Sequence, residues 1–250
     1  MGMQHMMIDI HTHILPGMDD GPRTVEESLA MLRLELAQGV TGICLTPHFY
    51  PRDETPEKFL VRRAEAWERL GEKLDDDLRS RIRLGAEVHY DPEIPNMDVR
   101  QLTLGDSDYL LLEMPYQYYP AYAEQVVIRL LEMGLTPVLA HVERFGYFRK
   151  EPALLKRLID LGALGQVGAD ALFDRADKGF ARACLAGNMA QFVASDAHNM
   201  TTRKPDLDVI RRLPEGVQES LEFFAWTLWE NEVPPMIRPT IPKRKLFGGY

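Results

Sequence analysis

The sequence predicts an α/β fold in which seven parallel strands close, or nearly close, into a barrel. Two observations carry that expectation. Short apolar runs alternate with amphipathic stretches that commonly end in glycine, the order of a βα repeat. The chain is 250 residues long, a length at which α/β barrels commonly form one domain. Seven strands in βα order favour a barrel over an open doubly wound sheet.

The first strand is expected at residues 7–10. A helix follows from Thr24, which stands at capping-box spacing from Glu27; Val25, Leu29, Leu32 and Leu36 share one face, and Gly39 suits the stop. The second strand is 42–46, before a long helix at 55–75 with Pro56 in its first turn. The third strand is 82–86. Residues 109–112 form a continuous apolar run, as expected of a parallel strand covered on both faces, and 122–133 with Gly134 behind it is the next helix. Strands at 136–140, 164–167 and 191–194 complete the set, with helices at 152–161 and 175–186 between them. A closing helix at 219–232 carries Phe223, Phe224, Trp226 and Trp229, aromatic residues suited to packing against the barrel. Residues 1–232 thus read as one domain. Its first six residues, rich in methionine, show no pattern and read as an alternative start. Residues 233–250, proline-rich with the basic run Lys243, Arg244 and Lys245, read as a partly extended, solvated tail.

Composition narrows the function. With 45% hydrophobic and 27% charged residues the chain is an ordinary globular protein, and its formal charge of −9 opposes gripping nucleic acid through phosphates. Cys44 and Cys184 are too few for a disulfide framework and fall in segments that read as buried strand and helix. No apolar stretch reaches the roughly eighteen residues of a membrane span, and no secretion signal is present, so a soluble cytoplasmic protein is expected.

The chemistry lies where the expected strands end. His11 and His13 follow the first strand, His48 the second, Glu87 the third, Glu113 the fourth, His141 the fifth, and Asp196 with His198 the last. In a parallel barrel those ends converge on one face. Five of the seven histidines belong to this set, and imidazole with carboxylate is the ligand mix of zinc, manganese and iron sites. Any one of these histidines alone would be an ordinary hydrogen-bonded residue; together they point to metal. In the His-x-His pair, alternate residues share a face, so both imidazoles can reach one ion. Asp19 and Asp20 sit in a tight loop before Gly21 and Pro22; one can ligate while its neighbour serves the turn. Arg144 and Arg203, with Lys204 as a weaker candidate, are placed to approach the same face, and a guanidinium matches two phosphate oxygens. His5 receives no role, and His89, two residues past Glu87, is assigned none either, with support of a neighbouring ligand as its alternative.

Taken in order, Asp9-Ile-His-Thr-His13, Asp19-Asp-Gly-Pro22, Thr46-Pro-His48, Gly85-Ala-Glu87, Glu113, Ala140-His-Val-Glu-Arg144 and Ser195-Asp-Ala-His198 resemble the polymerase and histidinol phosphatase (PHP) superfamily. Within it the chain is most similar to bacterial tyrosine-protein phosphatases encoded with capsular and extracellular polysaccharide genes. The resemblance runs from Met7 to about Asn231. It implies a distorted seven-stranded (β/α) barrel of the PHP type and a cluster of two or three divalent ions, manganese first, with iron or zinc as alternatives. Carried over residue by residue, it places His11, His13, Glu87 and Asp196 on one ion and makes Glu87 a bridge to a second, held also by Glu113 and His141. Asp20, His48 and His198 take the third. Arg144 and Arg203 match the arginines expected on phosphate. Gly168 departs from the pattern, standing where the family usually has Asn.

The implied reaction is direct hydrolysis of phosphotyrosine by water that bound cations acidify, without a phosphoenzyme. The implied partner is an autophosphorylating tyrosine kinase governing polysaccharide export. A cysteine mechanism is excluded by spacing: thiol phosphatases carry Arg six residues after the nucleophile, where this chain has Tyr50 after Cys44 and Ala190 after Cys184. Rival expectations are a small-metabolite phosphatase, such as one for histidinol phosphate, and a metal-binding regulatory protein without turnover.

Overall fold

The computed structural model describes residues 6–173 and 178–242. His5, the expected helix start at Arg175 and the basic run Lys243 to Lys245 lie outside the described residues.

The elements follow the βα order. They are β1 (Ile8–Thr12), α1 (Val25–Ala37), β2 (Gly42–Leu45), β3 (His48–Phe49), α2 (Pro56–Gly71), α3 (Asp76–Ser80), β4 (Ile82–Leu84), β5 (Glu87–His89), β6 (Tyr109–Glu113) and α4 (Ala123–Glu132). Then come β7 (Thr136–Leu139), α5 (Gly146–Lys150), α6 (Pro152–Leu161), β8 (Leu164–Gly168), α7 (Lys178–Ala186), β9 (Phe192–Ala194) and α8 (Glu215–Trp229). All strand pairings among them are parallel, in the orders β1-β2-β4 and β3-β5-β6-β7-β8-β9.

The described residues hold nine strand segments, because the expected runs at 42–46 and 82–86 are each followed, after a break, by a further short strand. Thr46 and Pro47 separate β2 from β3, and Gly85 and Ala86 separate β4 from β5. Proline has no N–H to donate to a ladder. The pairing nevertheless holds one register across the gap, Ile43 opposite Ile82 and His48 opposite Glu87, while the Gly85 N–H donates to Leu45 O and that of Glu87 to Pro47 O. At the other edge a bridge joins Thr12 to Ala197, and the His13 N–H donates to Ala197 O at 2.9 Å. The sheet therefore curls until β1 meets the segment after β9.

Alternation sorts the strand side chains into two apolar clusters. Tyr109 and Leu111 join Ile8, Ile10, Val138, Leu164 and Phe192 in an inner cluster, plugged by Phe224, Ala225 and Leu228 of α8. Leu110 and Leu112 face outward, to the helices, with Val126, Val127 and Leu130 of α4. Successive strand residues point to opposite faces, so Glu113 continues the inward series of Tyr109 and Leu111 beyond the apolar layer. The inner space is hydrophobic at the strands' starts and polar at their ends.

Several helix bounds differ from expectation. The stretch expected as one helix at 55–75 stops at Gly71, and α3 starts anew because the Asp75 carboxylate caps the Leu78 N–H at 2.8 Å. The closing helix begins four residues early, after Pro214, and ends before Asn231, whose φ is 54°. Its Phe224 packs inward and Trp229 stacks beneath Arg83 at 3.8 Å, but Phe223 stays exposed. Residues 233–242 have no regular structure, yet they are not free: Ile237 packs on the core and the Thr240 N–H donates to Gly187 O at 2.7 Å.

Candidate metal centre

All nine expected ligands meet at the C-terminal ends of the strands. His11 and His13 bring their Nε2 atoms within 3.1 Å of each other. Glu87 Oε2 lies 3.3 Å from both, and Asp196 Oδ1 lies 3.4 Å from His11 and 3.3 Å from His13. His141 Nε2 approaches Glu87 Oε1 at 2.9 Å and Glu113 Oε1 at 3.6 Å. Asp20 Oδ1 stands 3.2 Å from His198 Nε2 and 3.5 Å from His48 Nε2. Three sets each converge with ligand atoms mutually within 4.8 Å: His11, His13 and Glu87; His48, Glu87 and Glu113; and His13, Asp20, His48 and His198. His13, His48 and Glu87 each belong to two sets, and of the three only the Glu87 carboxylate has two oxygens to share between them.

The donors fit cations. Glu87 Oε2, Asp196 Oδ1 and His198 Nε2 are buried without an aligned hydrogen bond, although a nitrogen or carboxylate oxygen lies within 3.4 Å of each; donor atoms that converge without bonding one another suit a cation between them. His141 and Asp196 also hold left-handed backbone, with φ of 29° and 52°. Such conformations are costly for residues with a side chain and persist where their surroundings impose them.

Hydrogen bonds fix which imidazole nitrogen faces the cup. His11 Nδ1 meets Gln166 Oε1 at 3.2 Å, His13 Nδ1 meets Asp19 Oδ2 at 2.7 Å, and His198 Nδ1 meets Asp196 O at 2.8 Å. Each partner is an acceptor, so Nδ1 carries a proton and Nε2 is the nitrogen left facing the cup. Asp19 is thus the neighbour that serves the turn, for it also accepts the N–H groups of Gly21 and His48, both at 3.0 Å. Gly21 is required there: a Cβ would sit 2.1 Å from His13 O.

Electrostatics follow from this crowding. Burial alone would raise Glu87, but the adjoining imidazoles of His11, His13 and His141 hold its carboxyl well below the ordinary range. Burial is likewise outweighed at Asp196, where His11, His13 and Arg144 lower it. Those carboxylates, with Asp19, raise His11 and His13 against their burial. His198 goes the other way, to about 3, through burial and the neighbouring His13. A bound cation would have to displace protons from His11 and His13, since imidazole ligates only when neutral.

Both arginines reach the site through one carboxylate. Arg144 Nη1 and Arg203 Nη2 donate to Asp196 Oδ2, at 2.5 and 2.7 Å, while Asp196 Oδ1 faces the imidazoles. Arg203 also donates to Asp20 Oδ2 at 3.3 Å. Lys204 is not drawn in; it is exposed and neighbours Asp206. Gly168 leaves space for this arrangement, because a Cβ there would lie 2.8 Å from Asp170 Oδ1, 3.0 Å from Glu143 Oε1 and 3.6 Å from Arg144 Nη2.

Sequence reasoning missed one support and assigned no role to another. Gln166 Oε1 accepts the His141 N–H at 2.8 Å as well as facing His11. His89 Nδ1 meets Glu113 Oε2 at 3.0 Å. Residue type gives no signal for Gln166, although it lies two positions before Gly168 on the inward face of β8; for His89 the signal was its place two residues past Glu87, which made support of a ligand the alternative reading. Neither cysteine is available as a nucleophile: both are buried and free, and burial pushes Cys44 to about 12 and Cys184 well above its usual value.

A curled parallel α/β sheet with imidazoles and carboxylates gathered at its strand ends defines a metallohydrolase. The family described as capsular polysaccharide synthesis, CpsB/CapC, matches residues 7–217, and the chain belongs to it. It is 35% identical over 259 residues to the tyrosine-protein phosphatase YwqE of Bacillus subtilis, covering 98% of this chain and 100% of that one. With the tyrosine-protein phosphatase CpsB of Streptococcus pneumoniae it shares 31% over 234 residues, 88% of this chain and 95% of the relative. A crystal structure from work on YwqE and S. pneumoniae CpsB, described as unique metal-dependent tyrosine phosphatases, superposes with a TM-score of 0.85 at 34% identity. That match covers 95% of this chain and 100% of the other.

Proposed function

We propose that this chain hydrolyses phosphotyrosine in proteins with the help of two or three divalent cations, manganese foremost. The observation that carries the reading is the single cup of nine donors whose rim holds two guanidiniums on Asp196. His11, His13, Glu87 and Asp196 would hold one cation; Glu87, Glu113 and His141 a second; Asp20, His48 and His198 a third. Bound cations supply acidified water and offset charge on phosphoryl oxygens. The chain's own part is positional. Gln166, Asp19 and His89 orient the ligands, and Arg144 and Arg203 are 18% and 31% exposed, enough for a phosphate to meet their free N–H groups. A tyrosine leaving group, with pKa near ~10, needs less protonation than an alkyl alcohol.

The distorted seven-stranded PHP barrel is the architecture that goes with this reading, β2 with β3 and β4 with β5 each counting as one interrupted strand. The substrate is a phosphotyrosine protein, and a tyrosine kinase of polysaccharide export is the partner that the family suggests. Cytoplasmic placement suits two buried free thiols; no helix among the described residues is long and apolar enough to cross a membrane. Chelation should abolish release of phosphate from a phosphotyrosine peptide, added manganese should restore it, and thiol alkylation should leave it intact. Turnover that survives thorough metal removal would overturn the mechanism.

A further inference from the structure

Resting on the reading above, the next question is what recognises the ring of the substrate. Two tyrosines from separate loops stand over the cup with their rings partly in solvent. Tyr50, directly after β3, is 39% exposed, and its ring lies 5.3 Å from that of His48 and 5.5 Å from that of His89. Tyr116, shortly after β6, is 50% exposed; it stacks on His141 at 5.9 Å and 20° and meets Phe145 at 5.1 Å. His48 and His141 touch the two oxygens of one carboxylate, Glu87, at 2.8 and 2.9 Å. One phenol ring therefore stands against each of two of the four histidines that contact Glu87.

The loops that carry both rings are braced before any ligand arrives. Phe145 behind Tyr116 is fully buried, and Pro115 O accepts the Tyr147 hydroxyl at 2.9 Å, anchoring the loop. The Tyr50 carbonyl accepts the Asp53 N–H at 3.0 Å in a tight turn. Aromatic faces left partly in solvent beside a polar cup rimmed by two guanidiniums suit an apolar planar group attached to phosphate. We propose that Tyr50 and Tyr116 form an aromatic clamp that holds the phenyl ring of phosphotyrosine while its phosphate enters the cup, so selecting aryl over non-aromatic phosphates. An aromatic contact of ordinary strength corresponds to about two- to tenfold in affinity per ring.

The test uses the full-length manganese-loaded protein, the double variant Tyr50→Leu/Tyr116→Leu and the conservative Tyr50→Phe/Tyr116→Phe. Phenyl phosphate is compared with acetyl phosphate, which has a reactive leaving group and no ring. Phenylphosphonate is compared with methylphosphonate by calorimetry, and metal content is measured by elemental analysis. In the leucine variant the phenyl-to-acetyl ratio of kcat/KM should fall roughly tenfold, through KM, and the preference for phenylphosphonate should fall alike; the phenylalanine variant should keep both. An unchanged ratio in the leucine variant overturns the clamp. So does an equal loss on both substrates accompanied by loss of metal, which would mean that the tyrosines merely brace His48 and His141. Wild-type protein that prefers phenylphosphonate yet cleaves no phosphotyrosine peptide would support the clamp and overturn the hydrolase reading instead.

Discussion

Gln166 shows how much of the centre rests on residues that are not ligands. Its Oε1 faces His11 Nδ1 and the His141 N–H, two groups brought together from different strands. Replacing it with leucine removes that acceptor from a fully buried place and leaves His11 free to take the other tautomer. Outer partners of metal ligands are worth about 10- to 100-fold in affinity. Gln166→Leu should therefore retain cation that much more weakly in a metal titration, and unchanged affinity would show that His11 needs no such brace. The residue was not recoverable from sequence because a glutamine at this position is equally at home in any polar core. His11, His13, His48 and His141 were recoverable because imidazoles at successive strand ends are a pattern that packing alone does not produce.

At the scale of elements, α1 joins a local rule to a distant consequence. Thr24 accepts the Glu27 N–H at 3.2 Å and the Glu27 carboxylate reaches back to the Thr24 N–H, the reciprocal cap that the spacing predicted. Thr24→Ala should cost about 1 kcal/mol in urea unfolding; a loss near zero would mean that packing alone sets this helix start. The same helix carries Glu35, fully buried near Asp9 of β1 and near Asp206, a group no local rule would have assembled. Burial, with Asp170, Asp9 and Asp208 nearby, pushes Asp206 up to about 7 from 3.8. The unfolded carboxyl loses its proton near 3.8 and the folded one near 7, so the native state binds the extra proton and stability falls as pH rises between those values. Asp206→Asn should flatten that fall; an unchanged slope in denaturant melts across this window would remove Asp206 as its cause.

For the whole molecule, the cup is a cost that cations offset. Glu87, Asp196, His11 and His13 are almost wholly buried, and the unfolded chain cannot gather them. A ligand that binds only the native state at a hundred times its Kd stabilises by about 2.7 kcal/mol, which raises Tm by roughly 5–10 °C in a chain of this size. Calorimetry with manganese and with chelator should show that difference; equal melting temperatures would mean that the donors hold no cation tightly.

The sequence by itself determined the βα order, the apolar run of β6, the capping box of α1 and the identities of the strand-end imidazoles and acids. These rest on periodicity and spacing within short stretches, where the physics is local. Tertiary structure alone decided where the strands break, that Arg144 and Arg203 share Asp196, that Asp19 orients His13 while Asp20 faces the cup, and that Tyr50 and Tyr116 stand against His48 and His141. Arg144 with Asp196 and Tyr116 with His141 are meetings of groups remote in the chain. Such meetings depend on how a curled sheet closes, with the Thr12–Ala197 bridge as its seam, and no short window of sequence carries that curvature.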